Sequence, residues 1–156
     1  MSATAMDRLV VIGGASLDVL HFAGRTAPSA GGAGLYTSLA AARAGARVVM
    51  VGPRPEPMPA ELAPADSLIE WRGPTVSVGQ LPTFEIAHHP DGRTEMLDAR
   101  PKTEASLGPE DLPDDLAGEL VFLIATADPR QQLALLDELG ARGCRVACGA
   151  YSCAVE

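Results

Sequence analysis

The sequence predicts an α/β fold with a mostly parallel sheet, and three observations predict it. Short, unbroken apolar runs, Leu9 to Ile12, Arg47 to Val51 and Leu120 to Ala125, have the length and texture of strands buried on both faces. Helical patterns separate them: an alanine-rich stretch from Ala33 to Ala44, and a leucine-rich one from Pro129 to Gly143. Glycines sit where such strands end and helices begin, as Gly13-Gly14 after the first run and Gly31-Gly32-Ala33-Gly34 before the alanine-rich stretch.

Each element has its own warrant. After Asp18, the segment Val19-Leu20-His21-Phe22 reads as a second short strand, and Thr26 to Ala30 as a loop by composition. In the first helix Leu35, Leu39 and Ala42 mark an inner face, and Gly45 stops it. Between Gly52 and Asp66 five prolines exclude a long helix and leave extended backbone. Ser67 to Arg72 reads as a strand, with Gly73-Pro74 as a turn. Phe84 to His89 and Arg93 to Leu97 flank Pro90-Asp91-Gly92, a turn signal, so a half-exposed hairpin is expected at about 83–98. Its two faces alternate Phe84, Ile86 and His88 against Glu85, Ala87 and His89, and its position off an α/β core suits it to cover a site. Pro109 to Leu116 reads as a short helix. Asp128 caps a helix from Pro129, with Gln131 completing a capping box and Leu133, Leu136 and Leu139 facing inward. Arg145 to Cys148 begins one more strand.

Composition narrows the function classes. The chain has 156 residues, 47% hydrophobic and 21% charged, enough for one domain with a real core. A net charge of −8 without any basic block argues against nucleic acid and anionic membrane surfaces as partners. No apolar run reaches the length of a membrane span, and no signal-peptide pattern is evident, so a cytoplasmic location is expected. Cys144, Cys148 and Cys153 are odd in number and lack metal-ligand spacing, which makes them plain thiols.

The two glycine-bearing strand ends and the early carboxylate Asp18 point to a polar small-molecule site. Glycines let a ligand approach the backbone, and the unpaired N–H groups of a helix start receive hydroxyls or anions. The competing reading makes Gly31 to Gly34 a tight loop and Asp18 a turn or cap residue. A dinucleotide site is disfavoured because the Gly-x-Gly-x-x-Gly spacing is absent: after Gly13-Gly14 the next glycine is Gly24. His88 and His89 alternate across a strand and do not share a face, so no metal site is assigned. Glu85, Glu95 and Asp98 read as a solvated acidic surface of the hairpin.

The run Val10-Val11-Ile12-Gly13-Gly14-Ala15-Ser16-Leu17-Asp18, then Gly31-Gly32-Ala33-Gly34 and Ala40 to Ala46, resembles the N-terminal part of PfkB-type (ribokinase-like) carbohydrate kinases. The turn Asp91-Gly92-Arg93 resembles that family's lid. The resemblance implies a three-layer α/β/α fold with a small β lid, and ATP-dependent phosphorylation of a hydroxymethyl group on a sugar or nucleoside. On it, Asp18 accepts hydrogen bonds from substrate hydroxyls, and Gly31, Gly32 and Ala33 present backbone to the sugar. Tyr36 stands where the family usually has asparagine, and Arg100 resembles a lid arginine of the ketogluconate-kinase branch. The lid excludes water and so favours transfer over hydrolysis.

Two departures follow. The proline-rich segment Pro53 to Pro59 replaces the family's Gly-x-Asp element. The family's Gly-Ala-Gly-Asp motif, source of its anion hole and general base, lies downstream of any residue here. The resemblance therefore implies a truncated portion spanning 1–156, with no catalytic residue assigned and no site for ATP or Mg2+. The alternative is a non-catalytic sugar-binding or interaction module, which pairs with itself or a partner chain through the lid or an open sheet edge.

Overall fold

The computed structural model describes residues 8–102, 107–124 and 128–149. Its centre is a five-stranded parallel sheet in the order β11-β10-β1-β4-β6, built from β1 (Leu9–Ile12), β4 (Val48–Val51), β6 (Glu70–Arg72), β10 (Leu120–Leu123) and β11 (Arg145–Cys148). All four residues of β1 and of β4 are buried, as their unbroken apolar texture requires of central strands covered on both faces.

Alternation splits the strands between two cores. Leu9, Val11, Val48 and Met50 pack on one face with Leu35 of helix α1 (Ala33–Arg43) and with Ala65 of the one-turn helix α2 (Ala63–Asp66). Val10, Ile12, Val49 and Val51 pack on the other with Leu135 and Leu139 of helix α3 (Pro129–Ala141) and with Leu107, Leu112 and Leu116. This is a three-layer α/β/α arrangement. Among the described residues no helix is long and apolar enough to cross a membrane.

A second sheet stands off the first, in the order β3-β2-β8-β9: β2 (Ser16–Phe22), β3 (Arg25–Gly31), β8 (Thr83–His88) and β9 (Thr94–Arg100). Two hairpins meet through the parallel pair β2–β8. The lid is therefore twice the expected hairpin, and β9 runs on to Arg100. Thr26 to Ala30, expected as a loop, is strand: the continuous β2–β3 ladder overrides a composition of small residues and proline. Pro28 is tolerated because β3 is an edge strand and needs only one set of partners.

Other expectations are corrected locally. Leu133 is 61% exposed, and the inner stripe of α3 is Gln132, Leu135, Leu136 and Leu139. Gln132 is buried because its amide donates to the Gly149 carbonyl (2.7 Å) and to Cys148 Sγ (2.8 Å). Asp128 caps α3 by accepting from the Arg130 N–H, so Gln131 does not complete a box there. Pro113 divides the expected helix over 109–116 into two single 3-10 turns, Pro109–Asp111 and Asp114–Leu116. The strand expected over 67–72 shrinks to β6. The extended backbone expected over Pro53 to Pro64 is confined to its start, where Arg54–Pro55 (β5) pairs with Thr75–Val76 (β7); Ala60 to Leu62 form a turn, closed by the Leu62 N–H on the Pro59 carbonyl, that leads into α2. Ala125 and Cys153 lie outside the described residues.

One ion-pair network ties the first core strand to the loop ahead of β10. Arg8 donates to Asp115 Oδ2 (2.8 Å) and Glu119 Oε1 (3.1 Å), and Arg72 donates to Asp115 Oδ1 (2.9 Å). Hydrogen bonds from Arg8 and then Arg72 hold the Asp115 carboxyl down at about 2. A folded-state pKa below the unfolded value of about 3.9 contributes stability that is present above that value and lost as pH falls toward 2. In Asp115→Asn the melting temperature therefore drops relative to the parent at about pH 6, and the difference closes by about pH 2. Circular dichroism melts across that range measure it; a pH-independent difference means the arginines do not act through this charge.

Candidate functional site

Strand β2 sets the site by its period of two. Ser16, Asp18, Leu20 and Phe22 occupy one face, and Leu17, Val19 and His21 the other. Asp18 is only 8% exposed, unusual for a carboxylate without an arginine or lysine beside it. The antiparallel register sets Ser16 opposite Gly31. A Cβ added to Gly31 would overlap Asp18 Oδ2 and stand 2.6 Å from Ser16 Oγ, so the carboxyl occupies the space a side chain would take.

Among the described residues, Asp18 Oδ1 and Ser16 Oγ are buried without a hydrogen-bond partner. Burial pushes the Asp18 carboxyl above the ordinary aspartate range, while the nearby Ser16 hydroxyl and the Phe84 N–H pull it down without cancelling that rise. An unpaired carboxylate oxygen such as Asp18 Oδ1 at a buried position is costly unless another group satisfies it.

The next residue, Gly32, is the N-cap of α1, with φ of 100°. A Cβ there would come within 2.5 Å of the Gly14 carbonyl oxygen, and one on Gly34 within 2.5 Å of the Gly13 carbonyl carbon. Gly14 O also accepts from the Leu35 N–H (3.3 Å). Gly32 and Gly34 thus let α1 lie directly on the turn after β1. The tight-loop reading describes these two, while Gly31 makes room for a carboxylate. Asp18 and the start of α1 are brought together because the chain runs from Gly31 straight into the N-cap.

Ala33 is exposed at the first helical position. Tyr36 follows one turn later, 56% exposed, with its hydroxyl donating to the Ala30 carbonyl (2.7 Å), so its ring stands at the rim of the same corner. Arg100 is not brought there. The ladder pairs it with Thr83 and pairs Asp98 with Glu85. Arg100 lines a depression of about 280 Å³ with Leu17 and Val19, on the face of the lid turned away from Asp18, and its guanidinium donates to Asp98 (2.8 Å).

The acidic hairpin surface is paired rather than free. His21 Nε2–H donates to Glu85 (2.6 Å), His89 Nε2–H to Glu95 (3.0 Å), and Arg100 to Asp98. Among the described residues no three His, Cys, Asp or Glu side chains gather to hold a metal ion.

Sequence reasoning missed Ser16 and the first lid hairpin. A signal existed for the hairpin: Ala23-Gly24, both at positive φ (49° and 73°), is a two-residue turn between two runs of strand length. Nothing local marks Ser16, because its importance comes from the partner strand.

No protein-family model matches the chain, and no curated protein does. Solved structures match over nearly all of it. A ribokinase from Giardia lamblia superposes with a TM-score of 0.75 over 92% of this chain and 50% of its own, at 18% identity. A carbohydrate kinase from Agrobacterium tumefaciens gives 0.73 at 20% identity, covering 93% of this chain and 54% of its own. An adenosine kinase from Sinorhizobium meliloti gives 0.71 at 16%, covering 92% and 56%. At these identities the likeness is one of fold, which is ribokinase-like, and the chain spans about half the length of the proteins it matches.

Proposed function

We propose that this chain is the substrate-binding portion of an ATP-dependent sugar or nucleoside kinase of the PfkB type. The observation that carries the reading is the buried Asp18 carboxyl, with an unpaired oxygen, set against Gly31 at the start of α1. A ligand hydroxyl donating to Asp18 Oδ1 satisfies that oxygen and in turn accepts from Ser16. The Leu35 N–H is already taken by the Gly14 carbonyl; the Ala33 and Gly34 N–H groups, which lack intrahelical acceptors, are the ones that meet a neighbouring hydroxyl beside Gly32. Tyr36 closes the rim with its ring. Arg100 has no part in this corner.

ATP and Mg2+ belong to the whole-kinase reading. Phosphoryl transfer needs held phosphates and charge neutralisation, and the described residues gather no acidic set for a cation. What these residues supply is recognition and orientation of the polyol.

Asp18→Asn removes one acceptor and reverses the hydrogen-bonding sense at one oxygen. By isothermal titration calorimetry against pentoses, hexoses and nucleosides, the best polyol is expected to lose about 30-fold or more in affinity, the range of a hydrogen bond to a charged group. Unchanged affinity in a folded variant overturns the reading. Phosphate transfer from ATP by this chain alone would contradict the assignment of recognition without catalysis.

A further inference from the structure

At the tip of the lid the strand registers draw up one row of side chains. Phe22, the last residue of β2, faces Arg25 across the first hairpin and lies beside His88 of β8, whose own partner is Thr94. By alternation all four stand on the face that carries Asp18. Strands spaced about 5 Å apart put Arg25 and His88 roughly 10 Å from each other, with Phe22 between them. Phe22 is 65% exposed, and Arg25 and His88 are exposed with it. Among the described residues the Arg25 guanidinium has neither an ion pair nor a hydrogen bond. His88 Nδ1 meets the Thr94 hydroxyl (3.2 Å), which leaves Nε2 open.

Charge is divided between the two faces of this sheet. Glu85, Glu95 and Asp98 lie on the other face, where His21, His89 and Arg100 pair with them. On the face of the row, Asp18 is the only carboxylate that the four strands carry, and it is buried four residues back along β2, roughly 13 Å away. In a chain of net charge −8 the tip is thus a local site for negative charge. Phe22, Arg25 and His88 also line a cleft of about 460 Å³ between the turns of the two hairpins.

We propose that the lid tip is a second binding site, for a small aromatic oxyanion. Its ring lies on Phe22, and its carboxylate or phosphate is shared by the Arg25 guanidinium and the Nε2–H of His88. A guanidinium presents a planar fork that matches either oxyanion, and an exposed phenyl ring gains by covering another ring. With Nδ1 accepting from Thr94, the hydrogen of the neutral His88 ring sits on Nε2, where an anion needs it. Nothing in this site uses Asp18, so the inference goes beyond the polyol reading and does not rest on it.

The test titrates the intact chain with phenyl phosphate, benzoate, inorganic phosphate and benzyl alcohol by calorimetry. Phenyl phosphate is expected to bind about tenfold tighter than inorganic phosphate, and benzoate about tenfold tighter than benzyl alcohol. The tighter of phenyl phosphate and benzoate identifies the headgroup. Arg25→Gln and His88→Gln each weaken that compound about fivefold, while Arg100→Gln on the other face changes nothing. Phe22→Ser, checked for folding by circular dichroism, removes the advantage of the ring, and Phe22→Tyr keeps it. Amide chemical-shift changes on binding are confined to residues 22–26 and 87–89. No binding by either aromatic anion overturns the inference. So does equal binding of phenyl phosphate and inorganic phosphate, or a loss on Arg100→Gln as large as on Arg25→Gln, either of which means diffuse attraction. Shift changes centred on residues 16–18 and 31–34 instead place the compound in the Asp18 corner and also overturn it.

Discussion

Gly34→Ala is expected to destabilise the chain by roughly 3 kcal/mol or more, at or beyond the upper end of what overpacking costs. The added Cβ meets three atoms of one residue, the carbonyl carbon, carbonyl oxygen and Cα of Gly13, at 2.5 to 2.9 Å. None is the end of a side chain that can swing aside. Gly13 is itself held, its N–H donating to the Val51 carbonyl (3.0 Å), and it follows a strand whose four residues are all buried. Relief requires α1 to lift off the sheet, and Leu35, fully buried on that helix, lifts with it. A domain of this size has only about 5–15 kcal/mol in hand, so much of its stability is at stake. Urea unfolding followed through Trp71, the sole tryptophan and largely buried, reads the change directly. A loss below about 0.5 kcal/mol would mean that the start of α1 shifts freely, against the packing described.

Gly31→Ala is expected to separate binding from folding. Its Cβ collides with Asp18 Oδ2 and Cγ and with Ser16 Oγ, which are side-chain atoms. The carboxyl turns out of its pocket, and the cost to stability is smaller, about 1–2 kcal/mol. Affinity for polyols falls to the level of Asp18→Asn, because the acceptor is no longer where the ligand needs it. The double variant Gly31→Ala with Asp18→Asn then binds no worse than either single variant, the non-additivity expected of residues that act through one contact. Additive losses of affinity would show that Gly31 contacts the ligand by its own backbone, independently of Asp18. Three positions apart in one motif, Gly31 and Gly34 thus differ in what they make room for: a carboxylate in one case, a neighbouring backbone in the other.

The central layer was legible because its signals are local. Val48 to Val51 is apolar at every position, which suits only a strand covered on both faces, and Gly45 at φ 93° ends α1 as its composition implies. In α3 the leucines admit two inner stripes; the choice fell to Gln132, whose amide finds the Gly149 carbonyl across the layer, and Leu133 was left in solvent. That partner lies 17 residues on, past the end of the helix, where helical periodicity cannot point to it.

The site divides along the same line. The glycine pair after the first apolar run with the carboxylate that follows it, and the glycine run into the alanine-rich helix, are properties of the sequence by itself, and they pointed to Asp18, Gly31 and Gly32. The tertiary structure alone decided that Thr26 to Ala30 is a strand, since only the β2 ladder makes it one. Pairing of β2 with β8 then made one four-stranded lid and fixed its faces, with Asp18, Phe22 and Met96 on one and Arg100 on the other. The physical reason is common to these cases: propensity and periodicity describe a segment by its own residues, whereas whether it is a strand and which face it presents depend on the register of a partner strand, 3 to 15 residues away for β3 on β2 and more than 60 for β8 on β2.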